Sequence, residues 1–85
     1  MSRQHHYLKI IPEYYRAIEK GEKSFEVRFN DRNFQKYDIL HLKEWCGGEY
    51  TGRVIDCEVT YVLDNPDFCK EGFVVMSIRV IRISN

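Results

Sequence analysis

The sequence carries no excess charge of either sign: thirteen Lys and Arg stand against thirteen Asp and Glu. A neutral chain sets up no long-range field to gather nucleic acid or anionic lipid, so either partner must be met at a local site. Long apolar runs are also missing. The longest nearly apolar stretch, Phe73 to Ile83, is broken by Arg79 and Arg82, and Met1 to His6 lacks the apolar centre of a signal peptide. A cytoplasmic location with no membrane partner is the expectation. The three cysteines, Cys46, Cys57 and Cys69, are odd in number, and none sit at the two-residue spacing of a zinc site or redox disulfide. His5, His6 and His41 lie apart from them, and Asp64, Asp67 and Glu71 lack the pattern of a calcium loop. Neither a metal nor a cofactor is expected. With two prolines, no repeat, 44% hydrophobic and 14% aromatic residues, the composition excludes disordered and collagen-like chains.

What is present is enough for one domain over residues 1–85, which at this length buries only roughly 60% of its unfolded surface. His6, Leu8 and Ile10 alternate with Tyr7 and Lys9 as in a half-buried strand. Pro12 suits a first helical turn and Glu13 its positive end; Tyr14, Ala17 and Ile18 recur at helical spacing before Gly21 stops the helix. From Lys23 the period returns to two. Phe25, Val27 and Phe29 share one face, assigned to the core, and Ser24, Glu26, Arg28 and Asn30 share the other. Asn30 to Lys36 reads as a loop, Asp38 to about Trp45 as a strand ended by Gly47 and Gly48, and Tyr50-Thr51-Gly52 as a turn. A long strand follows, with Ile55, Cys57, Val59, Tyr61 and Leu63 alternating with polar residues. After the break at Asp64 to Asp67, Phe73 to about Arg82 is the last strand.

One helix after the first of five strands gives an α+β chain that is mostly β. The economical architecture is a small antiparallel or mixed β-barrel, because closing the sheet removes exposed edges and supplies the single core this length allows. A monomer is the default, with protein partners open.

The segment Gly21 to Arg28 concentrates the chemistry. Glu26 and Arg28 project from one strand face with Lys23 at its start, so a carboxylate can hold a cation and offer it to a phosphate or to the polar edge of a base. An ordinary exposed ion pair is the plainer alternative. Lys9, Arg53, Arg79 and Arg82 are either a phosphate-contacting stripe or scattered surface charge, and Trp45, Tyr50 and Phe68 are either cleft walls or core.

Gly21-x-Lys23-x-x-Glu26-x-Arg28 resembles the G-x-K-x-x-E-x-R signature of the ASCH domain, a PUA-like β-barrel family associated with RNA metabolism. The likeness extends through His6-Tyr7-Leu8-Lys9-Ile10, Pro12-Glu13-Tyr14-Tyr15, Asn30-Asp31-Arg32 and Gly72 to Ser77, in the manner of a small bacterial and phage branch. It implies a PUA-like barrel whose cleft accepts RNA or a nucleotide, with Lys23, Glu26 and Arg28 in the cleft and Asn30, Asp31 and Arg32 beside it. In that branch a glycine usually precedes the aspartate that opens the third strand. Tyr37 stands there instead, implying a different turn geometry and either a packed tyrosine or a ring that stacks on a base. Some relatives of the fold hydrolyse acylated cytidine with a lysine, a threonine and a distant glutamate. Lys23 matches their lysine, but Glu26 falls where the threonine would align, Ser24 points away from Lys23, and the glutamate has no counterpart. A binding module is therefore expected, with a small amidohydrolase or a regulatory protein-interaction module as alternatives.

Overall fold

The computed structural model describes residues 3–85; Met1 and Ser2, which open the stretch without a signal-peptide core, lie outside them. Strand β1 (His5–Ile10) buries His6, Leu8 and Ile10, as its alternation requires. Helix α1 (Pro12–Glu19) starts on Pro12 with Glu13 in its first turn. It ends where Gly21 takes φ +78° and the Gly21 and Glu22 N–H groups donate to the carbonyls of Ile18 and Ala17. The helix buries Tyr15 and Ile18, leaving Tyr14 exposed, one position round from the expected face. No helix among the described residues is long and apolar enough to cross a membrane.

The remaining strands are β2 (Phe25–Phe29), β3 (Ile39–Cys46), β4 (Glu49–Leu63) and β5 (Phe73–Ser84). Cys46 pairs with Glu49 across Gly47 and Gly48, both at positive φ, so these glycines form a two-residue hairpin turn whose twist matches the strands. Tyr50, Thr51 and Gly52, expected as a turn, therefore lie inside β4.

The sheet runs β1-β3-β4-β5-β2, with β1 parallel to β3 and every other pair antiparallel. It curls into a half-barrel and does not close into a hydrogen-bonded ring, which corrects the expectation that closure removes the edges. Strands β1 and β2 are its two rims. Irregularities in the β4–β5 register at Asp56/Cys57 and Val59/Tyr61 lie along the sheet, where bulges sharpen twist and curl. Side chains join the rims: Arg28 Nη2 donates to the Lys9 carbonyl at 2.9 Å and Arg32 Nη1 to the Tyr7 carbonyl at 3.3 Å. Leu8, Leu40, Leu42, Ile55, Val59 and Met76 form the inner face of the sheet, and Tyr15 and Ile18 of α1 cover it.

Strand β2 is inverted relative to its apolar pattern. Phe25, Val27 and Phe29 are 44%, 51% and 57% exposed, whereas Glu26, opposite the buried Met76, is 3% exposed. The phase is set by Glu26, whose carboxylate meets two cations on the inner side and is satisfied there.

Candidate functional site

Between the end of β1, α1 and rim strand β2 the sheet leaves a cleft of about 720 Å³. Lys23, Glu26 and Arg28 all stand on its wall, together with Lys9, Tyr14 and Phe25. The turn after α1 delivers Lys23, and the period of β2 puts Glu26 and Arg28 on one face. Glu26 Oε1 accepts from Lys23 Nζ at 2.5 Å, and Glu26 Oε2 accepts from Arg28 Nε at 2.8 Å. Lys23 Nζ also donates to the Phe25 carbonyl at 2.6 Å. Side chains that are long and mobile on an ordinary surface are thus pinned by one buried carboxylate. This is a built network, which the plainer reading of a loose surface pair does not describe.

Each cation keeps hydrogen-bonding capacity. A guanidinium has five N–H donors, and Arg28 commits Nε and Nη2, leaving Nη1 with no protein partner among the described residues. Lys23 lies over the Tyr14 and Phe25 rings, at 5.5 and 4.9 Å from their centroids, so aromatic faces flank the charge. Glu13 and Glu22 stand on the helix side of the same cleft. The cleft therefore offers donors from one wall and acceptors from the other, with rings between.

Asn30, Asp31 and Arg32 do not line this cleft. Asn30 Oδ1 accepts from the Phe34 N–H at 2.9 Å and the Asn30 N–H donates to the Gly72 carbonyl, which fixes the loop after β2. Asp31 is exposed, 3.9 Å from Arg32, and Arg32 serves the rim contact to β1. Arg53 pairs with Glu44 and Glu19, and Arg79 with Glu58, so neither is free for a phosphate stripe. The Arg79 hydrogen bond, aided by Arg3, holds the Glu58 carboxyl below its ordinary range. Trp45, Tyr50 and Phe68 are neither cleft walls nor core. Tyr37 is exposed beneath Lys36 rather than packed, and at φ +78° it keeps the left-handed conformation a glycine would take.

Tyr14 is a cleft residue that sequence reasoning missed, and Lys9, read there as stripe or scattered surface charge, joins it on the cleft wall. The signal for Lys9 is its place opposite the core side of β1, which carries it to the rim. Tyr14 became visible only once Tyr15 was known to be the buried ring. Behind the site, burial pushes the Cys57 thiol up to about 12, with the Glu26 and Asp56 carboxylates adding to the effect, so this cysteine is an inert core side chain. Among the described residues no group of His, Cys, Asp and Glu is arranged to hold a metal ion.

A family profile described as a domain of unknown function, DUF3850, matches residues 5–78, which take in β1 to β4, the first half of β5 and the whole cleft. The chain belongs to the DUF3850 family. It is also similar to an uncharacterized 12.9 kDa protein in the GpA 3′ region of Escherichia phage P2, 35% identical over 66 residues. That match spans 78% of this chain and 61% of the phage protein, so the DUF3850 chain covers less than two thirds of its relative's length.

Proposed function

We propose that this DUF3850 chain is a non-enzymatic module that binds RNA or a nucleotide in the cleft beside β2, and that the fold is a PUA-like variant of the ASCH type. The observation that carries the reading is the buried Glu26 carboxylate holding two cations in place, Arg28 and the Lys23 that lies over the Tyr14 and Phe25 rings. A base carries donors, acceptors and a π-face, and so fits a cleft with cations on one wall, carboxylates on the other and aromatic rings between them. A bare phosphate would meet Glu13 and Glu22 as well as the cations, which favours a ligand that includes the base. The cleft wall contains no Ser, Thr or Cys among the described residues, which favours binding over hydrolysis through a hydroxyl nucleophile.

The test is an amide NMR titration with a short mixed-sequence single-stranded RNA at low salt. Saturable shifts are expected around Lys9, Lys23, Glu26 and Arg28, weakening as salt rises because phosphate contacts release counterions. Arg28→Gln is expected to weaken binding roughly tenfold, the loss of a charge-assisted hydrogen bond, with the core amide shifts retained. Equal affinity of Arg28→Gln and wild type, or no shifts with RNA and nucleoside monophosphates at millimolar concentration, overturns the assignment. An affinity indifferent to salt would favour a protein-interaction module instead.

A further inference from the structure

The inversion of β2 turns an apolar sheet face outward, with the Lys23 and Lys70 ammonium groups over its Phe25 and Phe73 rings, 4.9 and 5.3 Å from their centroids. Cross-strand register lines up three rows on the outside of β2, β5 and the end of β4: Phe25, Ser77 and Tyr61; Val27, Val75 and Leu63; then Phe29 beside Phe73. No side chain in these rows is charged. Tyr61 is 61% exposed, and with the half-exposed Phe25, Val27 and Phe29 it leaves roughly 400 Å² of apolar surface facing out. That is about the non-polar share of a standard interface, which buries about 800 Å² per partner.

We infer that this face is the contact between two copies of the chain in a two-fold dimer. The small Ser77 between Phe25 and Tyr61 makes a notch at one end of the face. At the other end Phe29 and Phe73 meet edge to face, 5.5 Å between centroids, as a ridge. The Phe29 ring is propped from behind by Gly72, where an added Cβ would come within 2.9 Å of it. An axis through the Val27–Val75 row sets the ridge of each copy into the notch of the other, the reciprocal pairing an isologous interface requires. The rows carry no charged side chain of their own, so a partner's exposed charge would go unpaired along the central Val27–Val75 row, whereas a second copy brings the same apolar row. Zero net charge also removes long-range repulsion between copies. This inference does not rest on the nucleic-acid reading.

Sedimentation equilibrium of the full chain, from micromolar to millimolar concentration without RNA, tests it. The expected result is a reversible rise from the mass of one chain to that of two. Phe29→Lys and Tyr61→Lys, at opposite ends of the face, are each expected to return the mass to that of one chain while circular dichroism stays that of the wild type. A mixed-label sample is expected to give intermolecular NOEs from the Phe29 ring to Ser77. A single-chain mass at millimolar concentration, a dimer that survives both substitutions, or assembly that continues past two copies overturns the proposal.

Discussion

Glu26 is a carboxylate placed where the apolar alternation of its strand calls for a hydrophobic side chain, and it stays there because both its oxygens are taken by cations. Glu26→Gln keeps the size and an acceptor but leaves Lys23 and Arg28 without their countercharge. The expected loss is about 2 kcal/mol by urea denaturation, below the figure for a fully buried pair because both cations reach solvent. Tyr37 illustrates strain held by neighbours. Asp38 accepts from the backbone N–H groups of Gln35 and Gln4 and pairs with His6 at 2.9 Å, while the Tyr37 N–H donates to Val59, so the turn is locked around a residue that does not favour it. Tyr37→Gly is expected to raise stability by roughly 0.5–1 kcal/mol in the same assay, the relief of left-handed strain less the extra chain entropy of glycine. That position reads from sequence as a changed turn, but three hydrogen bonds to one aspartate, two of them long-range, preserve the glycine geometry. No local pattern announces such bonds.

At the level of the strand, alternation marks where β2 runs but is silent on which of its two faces turns inward. Both assignments have the same period, and the choice was made by cations at Lys23 and Arg28 that satisfy the inward carboxylate. Val27→Ala is accordingly expected to cost about 0.5 kcal/mol in dilute monomeric solution, and Met76→Ala, at the centre of the inner face, about 2–4 kcal/mol. Comparable losses at the two positions would mean that β2 is seated the other way. The hairpin after β3 shows the same limit. Gly47 and Gly48 are visible as an end, yet their identity as the whole turn depends on Trp45 pairing with Tyr50 beyond them.

For the molecule as a whole, six elements in order and a mostly β domain with one short helix are legible in the sequence, and the signature residues Lys23, Glu26 and Arg28 do gather at one cleft. Openness is not legible, because whether β1 and β2 pair depends on the curl of a sheet built from distant residues. Nor is the division of the six proposed site residues into a cleft set and a loop set, since Asn30 and Arg32 find their roles on Phe34 and Tyr7. The strand order has a further consequence for how the chain is made. β3, β4 and β5 form a meander of sequence neighbours, whereas β1 waits for β3, and among the described residues β2 pairs with β5 alone. A chain leaving the ribosome amino-terminus first exposes its rim strands and the Phe-Val-Phe face of β2 before anything exists to hold them. No stable part of the sheet containing β2 can form until Phe73–Ser84 has emerged, so the half-barrel is acquired late and as a unit.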